Sequence, residues 1–487
     1  MLVYVTRNEL YYDLENLIAI FVKKSQLSFT EAVEVFEHAL SNGDDALMLK
    51  SSEMEFEAIF YKGGIMVGRF ATSYDHRPSS KRQIKKNLYQ MLEKFYDPMS
   101  KWGILVGIRP VKIVHELLDE GKSYDAIEEI LLKTYLMKPE KASLLMEIAK
   151  RERPHLYPID SNAISIYICI PFCPSRCLYC SFPSNDVSKK GKLMAPYVQK
   201  LISEIEYVSD KIRDQNYLVD CIYVGGGTPT ALTEVELQDL MDAITRSFDI
   251  KNVKEFTVEA GRPDSITDIK LKTLKNAGVS RLCVNPQSMR DQTLVQIGRK
   301  HTAGDIKAMM VQARAHGFDN INMDLIMGLP GETLEDANQT ISEVIEMAPE
   351  NVTIHTLSVK RASRLNEQIE QVELAHDQTV EAMMSSSVVI LRQHGISPYY
   401  MYRQKKMIGH LENIGFAKEG YESLYNMRIM EERHTIIALG AGAVSKICHA
   451  DENRFERVAN FKGVEDYLER FGEVIERKKE AFIALKK

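Results

Sequence analysis

From about residue 164 to residue 395 the chain alternates strand-like and helix-like runs six times, a pattern that few folds accept. Strand-like runs rich in β-branched and apolar residues occupy 164–170, 221–224, 255–259, 281–285, 320–326 and 352–357. Amphipathic helical patterns over 195–213, 234–248, 267–276, 303–316, 334–347 and 377–394 follow them. Successive β-α units imply a parallel sheet with right-handed crossovers, either doubly wound or curled into a barrel. Six units are two short of a complete eight-stranded barrel, and an open (β/α)6 barrel fits.

Unusual residues collect where these strands end. The first runs into a cysteine loop, the second into Gly225-Gly226-Gly227-Thr228-Pro229-Thr230, and the third ends at Glu259-Ala260-Gly261. The fourth ends at Pro286-Gln287-Ser288, the fifth holds Asp324 ahead of Gly328-Leu329-Pro330-Gly331, and the sixth ends at His355-Thr356-Leu357-Ser358. Carboxyl ends of parallel strands are where such folds build their sites. A buried acid such as Glu259 or Asp324 is costly without a partner, so each expects a hydroxyl or a cation. The glycine triplet admits a closely approaching ligand, or it is a plain tight turn. Gln287 and Arg299 add an amide and a fixed cation near the same rim; Arg299 has a surface alternative in Asp291.

The cysteine loop carries the chemistry. Cys173, Cys177 and Cys180 form C-x3-C-x2-C directly after a strand. Three thiolates are one short of a closed tetrahedral zinc site. They suit a [4Fe–4S] cluster with one iron left open for a chelating ligand. A zinc knuckle with a distant fourth ligand is the alternative, and Cys169 would supply it on count alone. However, Tyr167 and Cys169 share one face of their strand, with Ile166, Ile168 and Ile170 on the other. That places Cys169 in the interior rather than among the ligands.

Composition sets the remaining bounds. A chain of 487 residues with 45% hydrophobic and 27% charged residues is globular, with two or three domains. Its net charge of −6 argues against nucleic-acid binding through bulk electrostatics. No run approaches the ~20 apolar residues of a membrane span, and the first residues lack a signal-peptide pattern. Four of the seven cysteines lie within 169–180, unlike a secreted disulfide framework. The expectation is a cytoplasmic protein. Residues 1–155 read as an N-terminal α+β domain, with a hairpin around Gly63-Gly64, a basic helix over 81–95 and two helices over 121–151. Arg153-Pro154-His155-Leu156-Tyr157-Pro158 reads as a linker. The core spans 160–395, and 396–487 reads as a C-terminal capping region. Lys360, Arg361 and Arg364 follow the sixth strand, cations that suit an anionic substrate or a solvated loop.

Residues 164–360 resemble the oxygen-independent coproporphyrinogen III oxidase group of radical S-adenosylmethionine (SAM) enzymes. The matching motifs are Y-x-x-I-P-F-C-x3-C-x-Y-C, GGGTPT, V-E, Q and D-L-I-x-G-L-P-G-E-T. GIRPVK and PYYMYRQKKM…LENIGFAKEG…LGAGAVSK, outside that core, are similar to the HemZ branch. The resemblance implies an open (β/α)6 radical SAM partial barrel and cluster ligation by Cys173, Cys177 and Cys180. It sets Tyr167 at the reacting centre against a first SAM, with Gly226 and Glu259 also on that molecule. A second SAM would meet Tyr179, Gly227, Thr228, Gln287, Arg299 and Asp324, with Thr356 and Val444 matching more loosely in loops. The family usually carries His two residues after the tyrosine; here that place is Cys169.

The implied reaction is oxidative decarboxylation of coproporphyrinogen III propionates to the vinyl groups of protoporphyrinogen IX. It runs through a 5′-deoxyadenosyl radical made at the cluster. A tetrapyrrole substrate and an electron donor such as flavodoxin or ferredoxin follow as partners. The alternatives are a haem chaperone with a vestigial core, and a radical SAM methyltransferase acting on haem. The His-Asn…Tyr-Trp signature of the chaperone branch is missing.

Overall fold

Glycine and proline punctuate the first of two compact units, Met1–Glu147 and Ile148–Lys487. The computed structural model describes the chain apart from residues 7–9, 53, 108, 405–406, 450–451, 453 and 486–487. Ile108 of GIRPVK and Lys405 and Lys406 of PYYMYRQKKM therefore lie outside the described residues. The first unit holds β1 (Leu2–Val5), β2 (Ser28–Thr30), β3 (Ala46–Ser51), β4 (Glu55–Lys62) and β5 (Ile65–Ser73), in the spatial order β2-β1-β3-β4-β5. Gly63 and Gly64 take φ of +58° and +77°, the left-handed pair that a two-residue hairpin needs. The expected basic helix runs from Pro78 to Leu92, three residues earlier than its periodicity suggests, because Pro78 starts it.

The first four residues of the segment expected as a linker, 153–156, are helical. The helix Pro139–Leu156 carries Pro154 inside its last turn, and Tyr157 still donates its amide to Arg153 O at 3.0 Å. Proline here removes one amide bond near an end, where the cost is small, so the breaker signal is overridden.

In the second unit, β6 (Ala163–Ile170) leads into β7 (Phe172–Cys173), which pairs with β8 (Asn185–Asp186) and closes the cysteine loop. There follow β9 (Leu218–Gly226), β10 (Glu255–Glu259), β11 (Arg281–Cys283), β12 (Ile321–Met327) and β13 (Asn351–Thr356). These lie side by side in chain order as β6-β9-β10-β11-β12-β13, all parallel. Each strand feeds its nearest neighbour, as in a barrel wall, and not alternately to either side as in a doubly wound sheet. Apolar runs such as AISIYICI form these strands because both faces of the parallel wall are buried. Three of the helices start at reciprocal capping boxes, Thr233 with Glu236, Thr302 with Asp305 and Thr333 with Asp336.

Residues 396–487, expected as a cap, extend the same sheet at both edges. β14 (Ser397–Tyr402) and β15 (Asn413–Ala417) add antiparallel strands beside β13. β16 (Ile436–Leu439) returns beside β6 as a seventh parallel strand, with β17 (Val444–His449) and β18 (Arg454–Ala459) beyond it. The sheet therefore has 11 strands. Covering both sides of the parallel wall satisfies edge amides that would otherwise stay open. The helix Phe471–Ala484 fastens this return: Lys478 and Glu204, both fully buried, meet at 3.3 Å, and Lys478 also donates to Ala438 O at 2.6 Å.

Candidate cluster and cofactor site

The cysteine loop is pinned before it is functional. Leu178 donates its amide to Ile297 O and accepts that of Leu365, both at 2.9 Å, and its side chain packs among Leu294, Ile326 and Leu357. Cys173, Cys177 and Cys180 are free thiols lining one open cavity of about 270 Å³. Burial pushes the Cys173 thiol up to about 11, against the hydroxyl of Thr228 at 3.5 Å, and pushes the Cys180 thiol up as well. Thiols held neutral in this way ionise when a metal takes them. Three thiol donors on one concave surface fit an iron–sulfur cluster.

The glycine triplet has a steric reason. A Cβ on Gly226, whose φ is +109°, would lie 2.7 Å from Cys169 Sγ. On Gly227 it would lie 2.6 Å from Phe172 O and 3.0 Å from Cys173 Sγ. The Gly227 amide is committed to Ile170 O at 2.9 Å and the Gly226 amide to the Glu259 carboxylate. Gly226 and Gly227 thus offer the cavity a surface without side chains, with those two amides bonded inside the fold.

Two carboxylates face the cavity in opposite electrostatic states. Glu259 accepts the Tyr223 hydroxyl at 2.7 Å, yet burial raises it to about 7, with nearby Asp324 adding to the rise. Burial also works against an ionised Asp324. There His355, 3.8 Å away, and the amide of Asn322 at 2.7 Å more than offset it, and Asp324 is held below its ordinary value. Tyr402 lies 3.3 Å from the other ring nitrogen of His355.

Gln287 is the plainest sign of a ligand site. It is a non-glycine residue at φ +70°, a strained conformation that tends to persist at functional positions. Its main chain is bonded on both sides to β12, to Asp324 O at 2.9 Å and from Ile326 N at 3.0 Å. Its side-chain Oε1 is buried without a donor, as is Oδ1 of Asn285 on the same wall. Buried acceptors are normally satisfied, so two orphaned amide oxygens call for donors from outside. Arg299 is turned inward and not toward Asp291, donating to Gly261 O at 3.1 Å, Asn285 O at 2.5 Å and the Tyr179 hydroxyl at 3.3 Å.

Of the residues singled out from sequence, Cys173, Cys177, Tyr179, Cys180, Gly226, Gly227, Thr228, Glu259, Gln287, Arg299, Asp324 and Thr356 line this one cavity. Thr356 is there with its hydroxyl already given to Glu412 O at 2.8 Å. Tyr167 and Val444 are not among the lining residues. Tyr167 stacks with Tyr223 and Tyr425 at 6.1 and 6.2 Å, and Val444 is 40% exposed on β17. Lys360 lines the cavity, whereas Arg361 and Arg364 are exposed outside it. Asn285, His355, Arg262, Tyr402 and Asn413 also line it and went unassigned. The first two sit at strand ends and were open to the same rim argument. Tyr402 and Asn413 arrive on β14 and β15, outside the six-fold alternation.

Residues 167–344 match the Radical SAM superfamily. The chain is 38% identical over 471 residues to the oxygen-independent coproporphyrinogen-III oxidase-like protein HemZ of Bacillus subtilis, covering 95% of this chain and 94% of that one. It is 34% identical over 282 residues to the heme chaperone HemW of the same organism, covering 57% of this chain and 70% of the relative. Among solved structures it is similar to coproporphyrinogen III oxidase (HemN) from Escherichia coli, with a TM-score of 0.52 and 22% identity over 64% of this chain and 70% of that one. The superfamily implies a [4Fe–4S] cluster and SAM, which the thiol-lined cavity fits. Among the described residues no helix is long and apolar enough to cross a membrane. The chain belongs to the radical SAM superfamily, in the HemZ branch of its oxygen-independent coproporphyrinogen III oxidase-like group.

Proposed function

We propose that the protein catalyses oxygen-independent oxidative decarboxylation of coproporphyrinogen III, converting propionate side chains to vinyl groups. The observation that carries this reading is the likeness to the HemZ protein along 95% of the chain, including the C-terminal strands that supply Tyr402 and Asn413 to the cavity. Each propionate, as the carboxylate, loses one hydrogen atom to the chemistry that bound SAM would supply, CO2 as the leaving group, and one electron to an external one-electron acceptor. When bound, the cluster and SAM supply the one-electron cleavage of SAM and the hydrogen-abstracting chemistry.

The chain's own residues do the rest. Cys173, Cys177 and Cys180 hold the iron. Glu259 and the side-chain-free surface of Gly226 receive one SAM. Tyr179, Gly227, Thr228, Gln287, Arg299 and Asp324 form the wall for a second. Tyr167, set back from the cavity lining, would act from behind the first SAM, and Thr356 and Val444 are the looser matches for the second. Lys360, half-buried beside Phe182 at the mouth, neutralises a propionate. Leu178, Ile326 and Leu357 keep water from the reacting atoms. An electron donor of the flavodoxin or ferredoxin class would reduce the cluster.

HemW similarity favours a second reading, in which the cavity handles haem without oxidising it; that similarity extends over 57% of the chain. Anaerobically reconstituted protein given SAM, a reductant and coproporphyrinogen III decides between them. Loss of one or two CO2 equivalents in the product mass supports the oxidase. Unchanged porphyrinogen with stoichiometric haem binding supports the chaperone, and a mass gain of a methyl group supports methyl transfer.

A further inference from the structure

One buried cation stands directly behind the cysteine loop. Arg262, 3% exposed, follows Gly261 at the end of β10. Its guanidinium grips Asp264 in a fork, Nε to Oδ1 at 2.9 Å and Nη2 to Oδ2 at 2.8 Å. The far side of the same fork reaches the loop. Nη2 donates to Ser175 Oγ at 3.1 Å, and Nη1 to Ser175 O at 3.4 Å and to Cys177 Sγ at 3.8 Å.

The three sulfurs are treated differently. Cys173 receives a neutral hydroxyl from Thr228. Cys180 is faced by Arg176 and Lys360, both only partly buried, so solvent weakens their effect. Cys177 alone is hydrogen-bonded by a buried guanidinium, and a second buried cation, Arg299, acts on it through space. His301 adds no charge behind them, because burial and the two arginines hold its ring neutral, with a pKa of about 4.

We infer that Arg262 and Asp264 form an opposed charge pair that sets the reduction potential of the cluster through the Cys177 sulfur. Reduction adds one negative charge to the cluster. A buried positive charge with an N–H···S bond to a ligating sulfur stabilises that reduced form and raises the potential. Asp264, on the opposite side of the guanidinium, lowers it by a smaller amount. Arg262 is thus a tuning residue that acts on the cluster through Cys177.

The inference rests on the cluster reading of the three cysteines and is independent of the tetrapyrrole. The test is an EPR-monitored redox titration, without substrate, of anaerobically reconstituted parent, Arg262→Gln, Arg262→Lys and Asp264→Asn, each with iron and sulfide measured. Arg262→Gln should keep its iron and titrate at a lower potential than the parent. Asp264→Asn should titrate at a higher one, and Arg262→Lys should recover most of the loss. Unshifted potentials in fully loaded Arg262→Gln and Asp264→Asn would overturn the inference, as would shifts in the same direction. If Arg262→Gln loses iron, Asp264→Asn decides alone: a rise supports the pair, and no rise refutes it. Failure of these shifts leaves the product assay untouched, and failure of that assay leaves the potentials standing.

Discussion

Glu255 and Glu259 begin and end the same strand, β10, and meet opposite fates. At the amino end, Glu255 is closed in by the protein. It accepts the Ser423 hydroxyl at 2.9 Å, the Leu424 amide at 2.7 Å and the Thr257 hydroxyl at 3.1 Å, with Arg281 at 3.8 Å. At the carboxyl end, Glu259 has the Tyr223 hydroxyl and one glycine amide, and then open cavity. The contrast extends across the sheet. Asp220, on the amino side, takes both terminal nitrogens of buried Arg428, whereas Asp324 faces the cavity with His355 at 3.8 Å. Buried acids whose partners are all built in hold the fold together. Glu259, whose shell is left incomplete, is held ready for a ligand, and the fold tolerates the electrostatic cost.

The largest effect expected from breaking that contrast is at the cavity. Cys177→Ser, reconstituted anaerobically, should lose cluster iron while its unfolding transition stays close to the parent's. Cys169→Ser should keep full iron, because Cys169 packs against Gly226 and does not line the cavity. Retained iron in Cys177→Ser would remove the cluster assignment.

Next is the amino rim. Asp220→Asn leaves Arg428 buried without its counter-charge and should cost about 3–5 kcal/mol in chemical denaturation. Cluster loading of the folded fraction should be unchanged. A loss near zero would mean that this rim is no more structural than the other.

Glu259→Gln should act in the reverse sense. The folded carboxyl titrates at about 7, against 4.5 as its ordinary value, so the folded state holds the extra proton between them. Stability of the cofactor-free protein therefore falls as pH rises through that window. The variant should escape this fall, gaining on the parent from about pH 4.5 to about pH 7 by at most ~3 kcal/mol and by a constant amount above. Its SAM affinity should drop about tenfold, near 1.4 kcal/mol. Parallel stability curves, measured by denaturant titration across pH, would show that Glu259 is an ordinary surface-like acid.

The smallest effects sharpen the mouth of the cavity. Lys360→Glu should weaken tetrapyrrole binding roughly tenfold, whereas the exposed Arg361→Glu should change it by no more than about 1 kcal/mol. Equal losses in the two variants would make the mouth a diffuse basic surface.

The sequence by itself determined the six-unit alternation, the cysteine loop and the gathering of polar residues at one rim. Those signals are local: strand period, helix period and the carboxyl-end rule all act within a few tens of residues. The same argument reached Gln287, Glu259 and Asp324. It could not supply their states, since burial and nearby Asp324 raise Glu259 against the Tyr223 hydroxyl, while His355 and Asn322 hold Asp324 down. Only the tertiary structure decided where residues 396–487 go. β16 lies beside β6 although some 270 residues of chain separate them, and a four-residue apolar strand carries no mark of its partner. Only the tertiary structure, likewise, placed Arg262 on Cys177. A guanidinium at the end of a long side chain reads in sequence as one more solvated charge, until burial and Asp264 hold it in place.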